Sequence, residues 1–147
     1  MSDSRPQCPE NLRRAFLGEP TYVQLQPGEH LYKFVSLPIV RDRILESPWW
    51  VRQKTFDELQ LRARRLQKPV AELARSQMAI AHQWNPGMET LYIIVLSAKA
   101  DGWEGRARSQ PVSTGDRTVL FIGGGTQLAI AGLTWRQIGV NYSGWPR

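Results

Sequence analysis

The chain is poor in the groups from which metal and disulfide chemistry are built. In 147 residues it has one cysteine, Cys8, and two histidines, His30 and His82. A single thiol cannot close a disulfide within the chain, and two isolated histidines do not make a zinc set. Cys8, between Gln7 and Pro9 with no histidine near it in sequence, is read as a spectator thiol, and no metal is expected. Long hydrophobic runs are lacking too. The longest, Leu91–Leu96 (LYIIVL), is strand-sized, far short of the roughly 20 apolar residues that span a bilayer. The opening MSDSRPQCPENLRR has no apolar segment after a basic one, so no secretory signal is read there. The expectation is a protein without a membrane partner. It would act in the cytoplasm, or be delivered into a target cell's cytoplasm by a route independent of a signal peptide.

Acidic charge is in deficit: 13 Asp and Glu face 19 Lys and Arg, a net charge of +6. The excess is local. Residues 1–40 carry four charges of each sign, residues 41–75 nine basic against five acidic, and the remainder six against four. Arg41, Arg43, Arg52, Lys54, Arg62, Arg64, Arg65, Lys68 and Arg75 form the basic stretch. Such a surface attracts phosphate-bearing partners, whether nucleotides, nucleic acid or acidic proteins; it also suits a solvated helix face. Apolar residues make up 41% of the chain and six are tryptophan, enough for one core at this common domain size.

Residues 1–20, rich in proline and polar groups, read as a loose leader with at most one short helical turn, and residues 21–147 as one domain. After Tyr22–Leu25 and the Pro27-Gly28 turn signal, His30–Ser36 alternates Leu31, Lys33 and Val35 with Tyr32 and Phe34. That pattern predicts a strand occupied on both faces. Ser47-Pro-Trp-Trp50 starts nothing regular on this reading, because Pro48 restricts its neighbour. Thr55-Phe-Asp-Glu58 fits a capping box, with Phe56, Leu59, Ala63 and Leu66 as the inward stripe of a helix. Pro69 suits the first turn of a second helix through Val70, Leu73, Ala74, Met78 and Ala81, stopped by Trp84-Asn-Pro-Gly87. The rest reads as strands: Thr90–Leu96, a short piece at Gly102–Gly105, Val119–Ile122, Leu128–Ile130 and Ile138–Tyr142, with Gly123–Gly125 interrupting the penultimate pair. Helices between a first strand and a mainly antiparallel sheet make the class α+β.

Single segments leave their chemistry open. Gly123-Gly-Gly-Thr-Gln127 suits a tight turn or a close approach to a ligand, but is neither a P-loop nor a Rossmann fingerprint. Trp49 and Trp50 suit stacking on a base or burial in the core. Lys33 suits a solvent face or a cleft, and Arg75 a phosphate clamp or a helix surface.

Their order carries more. Leu31-Tyr-Lys-Phe34, Ser47-Pro-Trp-Trp50, Arg75 through Asn85, Gly105, Gln110 and Phe121-Ile-Gly-Gly-Gly-Thr-Gln-Leu-Ala-Ile130 together resemble bacterial polymorphic-toxin domains of the ADP-ribosyltransferase fold. The resemblance spans roughly residues 28–132. It implies an ADP-ribosyltransferase-like α+β fold with two or three helices inserted after the first core strand. It implies NAD+ as substrate, a protein or RNA target, and a neutralising immunity protein. Carried over by motif, Lys33 with Tyr32 would contact NAD+, and Ser47 with Trp49 or Trp50 would seat the nicotinamide riboside. Arg75 would clamp a phosphate, Gly124 and Gly125 would approach the ligand, and Gln127 and Lys33 would be the catalytic residues.

Two departures bear on mechanism. Lysine stands at 33 where arginine is usual, and lysine lacks the bidentate fork. No glutamate stands at 127 or 129, so the positive charge that develops on the ribose lacks a carboxylate there; Glu104 and Glu89 are the nearest in sequence. Transfer and hydrolysis both remain open activities. A basic nucleic-acid-binding module and a non-catalytic interaction domain on the same fold are the alternatives.

Overall fold

Strand β2 (His30–Val35) is the spine of the computed structural model, buried along both faces as its mixed alternation predicts. The structure describes residues 5–78, 87–88, 90–114, 117–121 and 123–145. In chain order the other elements are α1 (Glu10–Arg13), β1 (Phe16–Leu25), α2 (Arg41–Ile44), β3 (Trp49–Arg52), α3 (Gln53–Leu66), α4 (Val70–Gln77), β4 (Thr90–Leu96), β5 (Ala100–Ala107), β6 (Gln110–Thr114), β7 (Arg117–Phe121), β8 (Thr126–Ala129) and β9 (Ile138–Ser143). Seven strands form a sheet in the order β1-β5-β8-β3-β2-β4-β9, with β6 and β7 as a separate hairpin. Every pair described is antiparallel, so the α+β class holds.

One face of β2 packs Leu31 and Val35 with Trp50, Ile94 and Leu128. The other sends Tyr32 and Phe34 against Phe56, Leu59 and Ala63 of α3 and Leu73 and Ala74 of α4. Phe56 anchors that layer: it is 1% exposed and stacks on Tyr32 at 4.4 Å. Its truncation to alanine should cost about 3–5 kcal/mol. The helix follows the stripe of Phe56, Leu59 and Ala63, but no capping box starts it. Arg52 is the N-cap, without a side-chain cap bond, and α3 begins at Gln53, so Thr55 lies inside the first turn. The physical reason is continuity, since Arg52 is still paired with Leu31 of β2 when the chain turns into the helix. Gln67, at φ 53°, closes α3 in the left-handed conformation, and Pro69 caps α4. That second helix ends at Gln77, one residue before Met78, while Ala81, His82, Trp84, Asn85, Glu89 and Ile122 lie outside the described residues.

Two readings of the sequence are corrected. The one short helical turn read in residues 1–20 is α1, but residues 16–20 are not loose: they form the first half of β1, which pairs with β5 from Phe16 onward, and Leu12 and Phe16 are buried. Ser47-Pro-Trp-Trp50 does start a regular element, because Trp49 and Trp50 open β3 and pair with Ala129 and Leu128 of β8. The capping-box helix start is replaced as described, and the piece at Gly102–Gly105 lengthens into the eight-residue β5.

Candidate active site

Among the described residues the seven-stranded sheet is continuous only through β3. Its first two residues pair with β8, and its last two, Val51 and Arg52, pair with Tyr32 and Leu31. From Lys33 onward β2 is no longer paired with β3. Residues of the 36–47 segment, which carries α2, help to line the pocket between them. The pocket encloses about 640 Å³, within the span of small-molecule sites.

Lys33, Ser47, Trp49, Trp50 and Gln127, drawn from three stretches of chain, line this pocket, and Tyr32 borders it. The ring of Tyr32 belongs to the helix side of the sheet, stacked on Phe56, as its position next to Lys33 on a strand requires. Trp50 is 2% exposed and forms part of the core, whereas Trp49 is half-buried and meets Phe16 edge-on at 5.6 Å. Two further cations that the sequence did not single out for a site, Arg43 and Arg108, also line the pocket. Among the described lining residues there is no aspartate or glutamate, so the cavity is cationic.

Lys33 is 7% exposed, and its ammonium is engaged with the pocket wall. Nζ donates to the Ile44 carbonyl at 2.8 Å and the Ser47 carbonyl at 2.6 Å, and sits 4.3 Å from the centre of the Trp50 ring. Two of its three donors thus brace the 36–47 segment against β2. Burial pulls the amine down from 10.5 to about 7, so at neutral pH it is poised between its charged and neutral forms.

Gln127, 8% exposed on β8, donates from Nε2 to the Ala15 carbonyl at 3.1 Å. Arg108 donates from Nε to the Phe16 carbonyl at 3.3 Å, and its backbone N–H to Ala15 at 3.0 Å. The stretch read as a leader therefore holds two polar groups of the pocket. No pattern in residues 10–16 announced this, since Leu12, Ala15 and Phe16 are the apolar residues there and are too few to display a period.

Three expected participants lie elsewhere. Gly124 and Gly125 are not at the pocket, and the glycine turn is consumed by packing. The amides of Gly123, Gly124 and Gly125 donate to the carbonyls of Ser76, Ala107 and Gln77 at 3.0, 2.8 and 2.8 Å, leaving none for a phosphate. A Cβ on Gly125 would come within 2.8 Å of the Gln77 side chain, so glycine there admits the end of α4. Arg75 is buried on α4 and does not line the pocket. Glu104, the carboxylate nearest in sequence, also stays outside it. Burial raises its pKa, Arg52 opposes that rise, and Arg52 Nη1 lies 3.8 Å from its carboxylate while Nη2 binds Glu29 at 2.7 Å. Burial also raises the Cys8 thiol, which disfavours the thiolate.

No family model and no curated protein matches this chain. Among solved structures, that of Tne2 in complex with Tni2 is similar to it. The TM-score is 0.48 and the identity 14%, over 88% of this chain and 98% of that one.

Proposed function

We propose that this protein is an NAD+-consuming bacterial effector toxin of ADP-ribosyltransferase-like fold. It cleaves the bond between nicotinamide and ribose and passes ADP-ribose to a macromolecule or to water. One observation carries the reading: Lys33, Ser47, Trp49, Trp50 and Gln127, which the sequence resemblance assigns to one site from distant positions, line one pocket. Its chemistry suits such a substrate. Arg43 and Arg108, joined by Lys33 in its protonated form, supply the positive field a pyrophosphate needs, and Trp49 offers a partly open ring for a planar base. With no carboxylate among the described lining residues, the oxocarbenium-like charge on the ribose would be met by polar groups such as Gln127 rather than by an anion. Catalysis then rests more on positioning than on charge neutralisation. As an effector it would act inside a target cell, and a neutralising protein would protect its producer.

The test is a time course of NAD+ with the purified protein, resolving nicotinamide, free ADP-ribose and modified macromolecule. Nicotinamide release that survives in wild type and drops at least tenfold in a folded Gln127→Ala protein supports the reading. No release and no NAD+ binding by calorimetry refutes it.

A second reading, a nucleic-acid-binding module, draws on α3, whose C-terminal half exposes Arg62, Arg64 and Arg65, followed by Lys68. RNA or DNA affinity falling steeply with salt would support it.

A further inference from the structure

An amide side chain has a donor end and an acceptor end, and its surroundings decide which end meets a ligand. At Gln127 the decision is made by Ala15. The Ala15 carbonyl can only accept, and it receives Nε2 at 3.1 Å, so the reverse orientation would set two oxygens face to face. That carbonyl is itself held in place. It accepts the Arg108 backbone N–H at 3.0 Å, and the Ala15 N–H donates to Leu12 at the end of α1 at 3.1 Å. Among the described residues nothing donates to Gln127 Oε1, and this oxygen is not sealed from solvent, while the residue lines the pocket.

We propose that the Ala15 carbonyl fixes Gln127 so that Oε1 faces the pocket, making position 127 a specificity-determining acceptor that reads a hydroxyl of the ligand. Together with the cationic lining, this defines the ligand class as a phosphorylated sugar, with a sugar hydroxyl donating at the β8 end and phosphate oxygens near Lys33, Arg43 and Arg108. A carboxylate at 127 would direct one oxygen at the Ala15 carbonyl, so glutamine is the residue this pocket accommodates at neutral pH.

The ligand part of the inference rests on the pocket being the NAD+ site; the orientation part does not, and the experiment separates them. In Gln127→Glu a protonated carboxyl can replace the amide, its O–H donating to Ala15. The ionised form cannot. The pocket cations Lys33, Arg43 and Arg108 favour ionisation, so the measurement is made at high salt, where their charge is screened and the folded state keeps its proton above the ordinary carboxylate range of about 4.3. Between those two values the folded protein binds a proton that the unfolded chain has released, so stability falls as pH rises. The melting-temperature gap between wild type and Gln127→Glu should widen by roughly 5 °C from pH 4.5 to pH 8. The gap for Gln127→Met should stay constant. A constant gap for Gln127→Glu as well overturns the orientation.

ADP-ribose binding, followed by calorimetry, should be near wild type for Gln127→Glu at pH 4.5 and at least tenfold weaker at pH 8. A widening stability gap without ADP-ribose binding to wild type keeps the orientation and removes the NAD+ reading. Should Gln127→Glu fail to fold at any pH, the wild-type side-chain amide decides. One Nε2 proton protected from exchange supports the proposal, and two equally fast protons overturn it.

Discussion

Replacing Lys33 by methionine removes a titration whose size follows from where the amine sits. Lys33 is 7% exposed, and burial brings its pKa from 10.5 to about 7. Below pH 7 the amine is protonated in both folded and unfolded chains, and the fold bears the cost of a buried charge. Between pH 7 and 10.5 the unfolded chain still binds the proton and the folded one does not, so stability rises with pH. The slope is about 1.4 kcal/mol per pH unit. From pH 7 to about pH 9.5 wild type should therefore gain about 3 kcal/mol relative to Lys33→Met, whose side chain never ionises. The loss of the two bonds to Ile44 and Ser47 lowers the stability of the variant at every pH and leaves the slope untouched. Urea unfolding followed by tryptophan fluorescence reads the difference directly, since Trp50 lies 4.3 Å from the amine. A wild-type-minus-variant difference that stays flat from pH 7 to 9.5 would refute the reasoning. It would mean that the two carbonyls and the indole ring stabilise the ammonium as well as water does.

Other outcomes follow from the same geometry. Gly125→Ala should cost about 1–3 kcal/mol by chemical denaturation, because its Cβ meets Gln77 at 2.8 Å. Gly124→Ala should cost about 1 kcal/mol, since only its φ of 83° is strained and no atom lies within 4 Å. Neither should change nucleotide affinity once folded, which calorimetry checks. Arg43→Ala and Arg108→Ala should each weaken ADP-ribose binding by about tenfold at low salt and reduce its salt dependence. Glu104→Gln should leave nicotinamide release within about twofold, because its carboxylate faces Arg52 outside the pocket; a loss of a hundredfold would place it in the mechanism.

What was legible in the sequence is what local pattern controls. Leu31, Lys33 and Val35 alternate with Tyr32 and Phe34, and a strand with both faces filled follows. Phe56, Leu59 and Ala63 repeat at helical spacing, and α3 follows. Lys33, Ser47, Trp49, Trp50 and Gln127 could be grouped through their order along the chain, whereas Arg43, Arg108 and the closing of the far end could not. β1 is an edge strand whose outward positions Glu19, Thr21 and Gln24 look like those of a tail, and only Phe16 and Leu25 among its residues are fully buried. β3 spans four residues, too few to display a period. The three glycines were legible as a turn, but the partner that requires them, the end of α4, is about 50 residues away in the chain. The glutamine at 127 was visible as a missing carboxylate, and its reason, the Ala15 carbonyl, belongs to a contact across 112 positions.

The shared strand has a mechanical corollary. Among the described residues, four consecutive ones, two bonded leftward and two rightward, are the sole rung joining the β1-β5-β8 flank to the β2-β4-β9 flank through the ladder. A molecule lodged beside that rung touches Gln127 of one flank and Lys33 of the other. Its occupancy then acts as a rivet across the seam, and slowed amide exchange at Trp50 and Val51 would register it without any chemistry taking place.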